Sequence, residues 1–350
     1  MGQKGKLGKG LLLLFAGCCF PYIVTLGWTG SINGRGQALE RWGRTERLNE
    51  EGKMPLDSGR QIILDRETTM YLDVEEYLVG VVARQIPAEY TLEALKAQAV
   101  IARTYIYQQM GGKKQIAESA LDMDYLGQVQ LEKLWGTKNY LAFYQRVEEA
   151  IKETRGEVLR WQGEYADALF CRCSAGSTRP GDESHPYLAA VNCPEDLTSD
   201  NFLQLKEWTP EEFSRLISAI PDGGPVSADQ VPGMIQIGGR DSSGYVTQVQ
   251  IGNVQFSGDE VRYALGIQSP CFSFEDYGGN IRAEVKGIGH GYGFSQFAAN
   301  KKAQEGWTYR ELLDYFYPGT SLEAEDIAPD ALDRSQPGIG QNTDAVNEDR

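Results

Sequence analysis

The sequence predicts an α+β fold, in which helices and strands follow each other irregularly within one large domain. Three observations lead to this prediction. Capping residues precede segments of helical periodicity, short runs rich in β-branched and aromatic residues fall between those segments, and the order of the two is irregular. A doubly wound parallel sheet requires regular alternation of strands and helices, so we do not expect that class.

The N-terminal segment sets the expected compartment. Lys4, Lys6 and Lys9 precede an uncharged run over residues 10–34 that is long enough to cross a bilayer. The lysines favour a cytoplasmic N-terminus, and no small-x-small cleavage site follows the apolar run. We therefore expect residues 1–36 to form a cytoplasmic tip and a retained single-pass anchor, with the domain outside the cytoplasm. A cleaved signal peptide and a lipidated Cys18 are the alternatives.

Both flanks of the central region are polar. Residues 37–60 are rich in charge and lack an apolar period, which predicts a tether between the membrane and the domain. Residues 321–350 are rich in Asp and Glu, and we expect an acidic disordered tail there. The folded domain is thus expected to span residues 61–320. The formal net charge of −15 leaves no strong basic field for binding nucleic acid.

Helices are expected where capping residues and apolar stripes coincide. Thr91 can cap a helix whose apolar stripe ends at Gly111, and a second helix is expected over residues 137–154. Thr209 and Thr308 each precede a glutamate by three residues, which is the capping-box signature. Short β-prone runs predict strands over residues 61–64, 157–161, 164–170, 233–237, 245–251 and 281–285.

One motif carries most of the functional information. Residues 80–100 read GVVARQIPAEYTLEALKAQAV. This motif resembles the stage II sporulation protein D (SpoIID) family, which includes the LytB amidase-enhancer proteins and whose pattern has Glu-Met-Pro before a helix reading Glu-Ala-Leu-Lys-Ala-Gln-Ala. Two further blocks, CRCSAGST over residues 171–178 and GIGHGYGFSQF over residues 287–297, are similar to later elements of that family. Gln85 stands at the position of the family's glutamate.

The resemblance implies work on peptidoglycan glycan strands during engulfment in sporulation, beside a wall amidase and membrane engulfment proteins. Family members that cut glycan use the glutamate as the acid and base of a lytic transglycosylase reaction. An amide has no titratable proton near neutral pH, so Gln85 cannot replace it.

Three functions follow as hypotheses. The favoured one is a glycan binder or amidase enhancer without cleavage. The first alternative is an active lytic transglycosylase that uses Glu89 as its acid and base, although Glu89 can equally stabilise the N-terminus of the following helix by its charge. The second alternative is a structural member of a membrane engulfment complex.

Residues retained from the family pattern are expected to contact the glycan. Lys96 and Arg103 lie seven residues apart on one side of a helix and could hold N-acetyl or carboxylate groups, unless they pair with Glu93. His290 lies between glycines and could offer a hydrogen bond, with a structural turn as the alternative. The expected substrate-binding residues are Lys96, Gln98, Arg103, Thr104, Ser174, His290, Tyr292, Ser295 and Gln296.

Four cysteines lie outside the expected anchor. Cys171, Cys173 and Cys193, together with His185, supply four possible zinc ligands within a short span, although their spacing is not a standard zinc-finger signature. Some relatives in the resembled family hold zinc with cysteine and histidine near their groove. An extracytoplasmic location also permits disulfides, such as Cys193 with Cys271. Zinc, disulfides and free thiols all stay open.

Overall fold

The computed structural model describes residues 58–66, 68–221 and 223–325. The expected anchor, almost all of the tether and the tail from residue 326 onward lie outside these ranges. The described residues belong to one compact unit. No helix within them is both long and apolar enough to cross a bilayer.

The fold is α+β, as the sequence predicts. Its helices are α1 (Val74–Gln85), α2 (Leu92–Met110), α3 (Gln128–Glu153), α4 (Pro210–Ile217), α5 (Gly258–Leu265), α6 (Gln296–Gln304) and α7 (Tyr309–Phe316). Its strands are β1 (Gln61–Asp65), β2 (Thr69–Asp73), β3 (Gln115–Ala117), β4 (Glu157–Trp161), β5 (Glu164–Tyr165), β6 (Phe170–Cys171), β7 (Leu203–Trp208), β8 (Ile235–Arg240), β9 (Val246–Ile251), β10 (Val254–Phe256), β11 (Phe272–Tyr277), β12 (Asn280–Lys286), β13 (Phe294–Ser295) and β14 (Ser321–Ala324).

The strands form small separate sheets. Their orders are β2-β1-β3, β14-β4-β5, β13-β6, β10-β9-β8 and β11-β12-β7. The β1–β3 and β6–β13 pairs are parallel, and the other pairs are antiparallel. Sheets this small cannot bury an apolar face by themselves, so each one depends on the helices or loops that pack against it.

The described part of the chain outside residues 203–286, which we call the main body, is built around α2. Val100 and Ile101 of this helix pack in a buried apolar cluster with Leu159 of β4 and Phe316 of α7. The hydroxyl of Thr91 caps α2 by accepting a hydrogen bond from the N–H of Ala94, as expected. The helix ends at Gly111, which adopts the left-handed conformation with φ 54°.

A second apolar cluster belongs to residues 203–286, which we call the inserted lobe. This segment contains β7 to β12 with α4 and α5, and it separates the parallel partners β6 and β13 in the sequence. Phe213, Val249, Phe256 and Val285 lie in its core. The N–H of Gly287 donates to the carbonyl oxygen of Phe202 at 2.8 Å, so the chain leaves the main body and returns to it at the same place.

Several boundaries differ from those expected. The helix expected over residues 137–154 begins earlier, at Gln128, and it is kinked at Gly136, whose φ of 71° and ψ of 150° are not helical. The strand expected over residues 164–170 divides into β5 and β6. The folded part also continues beyond residue 320, because β14 pairs with β4 and Leu322 packs against the core.

A fully buried ion pair joins three helices. Arg103 of α2 donates two hydrogen bonds to the carboxylate of Glu75 in α1, at 2.7 and 2.6 Å, and both side chains are 0% exposed. The same guanidinium donates to the carbonyl oxygen of Ile151 in α3 and of Glu157 in β4. Arg103 was expected to contact glycan, but its complete burial excludes that contact.

Replacing Arg103 with methionine should lower the free energy of unfolding by about 3–5 kcal/mol, because the carboxylate of Glu75 would stay buried without a partner. The double variant Glu75→Gln, Arg103→Met should lose less, since it leaves no unpaired charge. Urea denaturation followed by circular dichroism measures both.

Arg66→Met is the matched control. Arg66 pairs with Glu118 at 2.7 Å, but its side chain is 50% exposed, so its loss should cost less than about 1 kcal/mol. Equal costs for Arg66→Met and Arg103→Met would show that the buried pair does not hold the helices together.

Candidate functional site

Gln85 lies where the ends of three helices meet. It is the last residue of α1, and Ile86 turns the backbone to an extended conformation after it. Thr91 then starts α2, and its N–H donates to the side-chain oxygen of Asn300 in α6 at 2.8 Å. The side chain of Gln85 is half-buried at this junction.

Three glutamine side chains form a chain of hydrogen bonds at the junction. Gln98 of α2 donates to Oε1 of Gln85 at 2.8 Å. Gln296, the first residue of α6, donates to Oε1 of Gln98 at 3.0 Å and to the backbone oxygen of Gln85 at 3.0 Å. Gln98 and Gln296 are buried. The expected site residues Gln98 and Gln296 therefore meet Gln85, but they support it from the interior.

The direction of these hydrogen bonds follows from one contact. A backbone carbonyl oxygen only accepts, so the Gln296 atom that contacts the carbonyl of Gln85 must be its amide nitrogen. That nitrogen also donates to Oε1 of Gln98, which leaves the nitrogen of Gln98 to donate to Oε1 of Gln85. Nε2 of Gln85 is thus the last group in this series of hydrogen bonds, and it belongs to a side chain that solvent reaches. The site presents an N–H donor.

Glu89 occupies the loop between α1 and α2. Its side chain is exposed. An exposed position just before α2 fits the alternative that the sequence left open, in which the charge of Glu89 stabilises the N-terminus of that helix.

The other expected residues on α2 stabilise the fold. Lys96 forms ion pairs with Glu93 and Glu153, each at 2.6 Å. The hydroxyl of buried Thr104 donates to the carbonyl of Val100 at 2.7 Å. Pairing of Lys96 with Glu93 is the alternative that the sequence left open.

Asp196 is a buried carboxylate that sequence reasoning did not find. It accepts a hydrogen bond from the N–H of Ser174 at 2.8 Å and from the hydroxyl of Ser295 at 2.8 Å. Burial raises the pKa of Asp196, and the bonds from Ser174 and Ser295 oppose that rise. Ser174 and Ser295 were expected to bind substrate, but both are buried on Asp196. The cluster fixes the start of α6, and with it Gln296.

The glycine-rich segment over residues 287–293 packs between the main body and the inserted lobe. A Cβ atom on Gly291 would lie 2.4 Å from the ring of Tyr245, and one on Gly293 would lie 2.0 Å from the backbone oxygen of Leu169. Only glycine fits such close approaches, and both residues have positive φ. Close packing therefore accounts for these glycines.

His290 and Tyr292 belong to the same contact. Nδ1 of His290 accepts from the N–H of Tyr292 at 3.0 Å, so the proton of the neutral ring is on Nε2. The guanidinium of Arg179 lies 4.5 Å from the centroid of the Tyr292 ring and pairs with Asp241 and Asp259 of the inserted lobe. This arrangement supports the structural-turn alternative for His290.

The residues expected to bind zinc are not arranged as ligands. His185 lies between Asp182 and Asp167, each 2.8 Å from a different ring nitrogen. Cys173 is buried, and its Sγ–H is directed to the backbone oxygens of Ser174 and Asp196, each at 3.5 Å. In the described part of the chain, no three His, Cys, Asp or Glu side chains are placed to hold one metal ion.

The cysteines are not joined in pairs either. Cys171, Cys173, Cys193 and Cys271 are buried free thiols. As placed, they fit neither the four-ligand zinc set nor a disulfide between Cys193 and Cys271.

Comparison with known proteins places the motif in a family. The family described as stage II sporulation protein (SpoIID) matches residues 65–161. Stage II sporulation protein D of Bacillus subtilis (strain 168) is 30% identical over 267 residues, which cover 73% of this chain and 76% of that protein. The protein of the same name from Bacillus amyloliquefaciens is 29% identical over 276 residues, covering 73% of this chain and 75% of that protein.

A relative named as an amidase enhancer is also similar. This protein, from Bacillus subtilis (strain 168), is 25% identical over 296 residues, which cover 70% of this chain and 40% of the relative. The family match contains α1, α2 and Gln85, so Gln85 and Gln98 of the glutamine junction lie inside the shared region.

The two histidines of the chain should affect acid stability in opposite directions. Burial and the charges of Arg262 and Arg179 lower the pKa of His290 to about 4. A lowered pKa contributes stability that is present above about pH 6.5 and is lost as the pH falls through about 4. The stability difference between wild type and His290→Asn should therefore shrink by roughly 2–3 kcal/mol between pH 6.5 and 4.

His185→Asn is the control for this measurement. Hydrogen bonding to Asp182 raises the pKa of His185, so its contribution is present below about pH 6.5 and is lost as the pH rises. Urea denaturation at several pH values compares the variants. If His290→Asn followed the pH trend of His185→Asn, His290 would not be held neutral in the fold.

Proposed function

This chain belongs to the stage II sporulation protein D family and is a sporulation cell-wall protein, and from that premise we propose that its Gln85 site binds peptidoglycan glycan strands without cleaving them. The observation that carries the proposal is the direction of the glutamine chain. Oε1 of Gln85 already accepts a hydrogen bond from Gln98. The amide N–H of Gln85 is therefore the group that is left to bind a ligand.

The chemistry of that group separates binding from catalysis. A protonated glutamate at this position would donate one hydrogen bond to the glycosidic oxygen and then release the proton as the bond breaks. Nε2 of Gln85 can donate a similar hydrogen bond, but it keeps its hydrogens because an amide does not titrate near neutral pH. The site thus offers a hydrogen-bond donor where the acid would be, but this donor has no proton to transfer.

The surroundings of Gln85 support retention of a glycan site. A carboxylate at position 85 could accept the hydrogen bond that Oε1 accepts from Gln98, so the interior needs no other change to accommodate an acid. Gln296 would still fix Gln98. The replacement therefore removes the proton donor and leaves the framework that positions it.

The proposed setting is outside the cytoplasm, on a single-pass anchor. There the protein would work beside a wall amidase that removes stem peptides, and it would hold the resulting peptide-free glycan. The relative named as an amidase enhancer supports a link with such an amidase. Membrane engulfment proteins are the other proposed partners.

Gln85→Glu should convert the binder into an enzyme with measurable cleavage of peptide-free glycan. The expected products carry 1,6-anhydromuramic ends, which mass spectrometry of the digested strands detects. Wild-type protein should yield none, while still binding the strands in a sedimentation assay. Gln85→Ala should bind about fivefold more weakly, because it loses one hydrogen bond to the glycan.

Two further variants make the test specific. Gln85→Glu combined with Gln98→Leu should lose most of the recovered cleavage, since the acid would no longer be held in place. Glu89→Ala serves as the matched carboxylate control. Anhydromuramic ends made by wild-type protein and abolished by Glu89→Ala would refute the proposal and establish Glu89 as the acid and base.

A further inference from the structure

Arg172 lies beside the glutamine junction. It directly follows β6, where Cys171 is opposite Ser295 of the parallel strand β13. The carbonyl oxygen of Arg172 accepts a hydrogen bond from the N–H of Phe297 at 3.1 Å. Arg172 is therefore adjacent to Gln296, whose amide contacts the backbone of Gln85 at 3.0 Å.

The guanidinium of Arg172 points out of the core at this position. Side chains alternate between the two faces of an extended segment. Cys171 and Cys173 on either side are buried, whereas Arg172 is exposed. Burial raises the pKa of Tyr90, and the nearby positive charge of Arg172 opposes that rise. Tyr90 belongs to the loop that follows Gln85, so Arg172 and this loop border the same surface.

Other cations near the junction already have partners. Arg84 pairs with Asp124 at 3.1 Å, and Lys96 pairs with two glutamates. Arg146 donates to the backbone oxygens of Ala88 and Tyr90. Across the residues that the structure describes, the guanidinium of Arg172 makes neither an ion pair nor a hydrogen bond. A protein of net charge −15 thus keeps one unpaired arginine beside Gln85.

We propose that Arg172 binds a carboxylate of the glycan strand next to the sugar held at Gln85. This inference rests on the proposed function and adds the group that is recognised. A guanidinium can bind a carboxylate through two parallel hydrogen bonds, which fixes orientation as well as position. Muramic acid carries such a carboxylate on its lactyl ether when the stem peptide is absent, and the stem peptide carries its own carboxylates when it is present.

Recognition of the carboxylate would set the register of the strand. N-acetylglucosamine has no carboxylate, so alternate sugars of the strand differ at Arg172. A strand bound with a muramic residue at Arg172 would place a defined glycosidic bond at Gln85. The arrangement also explains how an acidic protein can hold an anionic polymer, since the attraction is local.

The experiment measures the affinity of full-length wild type and Arg172→Gln for four probes. These are peptide-free glycan strands, the same strands with their lactyl carboxylates converted to neutral amides, peptide-bearing strands and chitin oligosaccharides. Arg172→Gln should bind peptide-free strands about fivefold more weakly. Its affinity for amidated strands and for chitin oligosaccharides should equal that of wild type.

Arg215→Gln is the matched control. Arg215 is exposed on α4 in the inserted lobe, so its replacement changes the net charge equally without touching the junction. Thermal melts of both variants check that folding is unchanged. A loss of affinity in Arg172→Gln that appears only with peptide-bearing strands would support carboxylate recognition and assign it to the stem peptide.

Two results would overturn the inference in different ways. If Arg172→Gln and Arg215→Gln weakened binding equally, the effect would come from net charge and Arg172 would not recognise a carboxylate, while the proposed function would stand. If wild type bound none of the four probes, the proposed function would fail together with the inference.

Discussion

The buried pair of Arg103 and Glu75 is the interaction on which the candidate site depends. Removing two charges from water is costly, and the cost is offset only when the pair stays intact with its surrounding hydrogen bonds. Here the guanidinium also binds carbonyl oxygens of α3 and β4, so the position of α1 on α2 is fixed at one end. Gln85 and Gln98 join the same two helices at the other end. One charged contact and one amide contact thus define the relative placement of α1 and α2.

Much of the motif around Gln85 supports this helix pair. A Cβ atom on Gly80 would lie 2.3 Å from the backbone oxygen of Leu126, and the ring of Tyr125 lies almost as close. The loop before α3 can therefore cross α1 only at a glycine. The stacked rings of Tyr77 and Tyr125, with centroids 4.7 Å apart, continue that contact. A motif that suggests chemistry in sequence is largely a set of packing requirements in the structure.

Local rules predicted the parts of the fold that depend on local interactions. Thr91, Thr209 and Thr308 cap helices because each hydroxyl reaches an N–H three residues ahead, which the sequence shows directly. Gln85 was located in another way, through the resemblance of its motif to a family pattern that has a glutamate at this position. Helical periodicity places Lys96 and Arg103 on one side of α2, but it does not show that this side is covered. That covering comes from α3 and β4, tens of residues away.

Contacts between distant segments account for the remaining differences. Asp196 meets Ser295 across 99 residues, and no spacing rule links them. His185 is close in sequence to Cys173 and Cys193, yet Asp182 and Asp167 engage its ring instead. The glycines at residues 287–293 suggested a ligand loop because glycine permits close approach. The groups that approach belong to the protein itself, such as the ring of Tyr245 at Gly291 and the backbone oxygen of Leu169 at Gly293.

The two ends of the described chain meet, and this has a mechanical consequence. Arg60 contacts Glu325 at 2.9 Å, and Arg160 and the hydroxyl of Tyr165 bind the same carboxylate. Ser58 is bonded to Asp73 at the start of α1, whereas Gln85 lies a full helix length away, about 17 Å. A pulling force between the two ends would act across the Glu325 cluster, near the chain termini of the fold. The load would bypass the contact between Gln85 and Gln98 at the other end of α1, so the geometry at Gln85 would be insulated from tension on the chain.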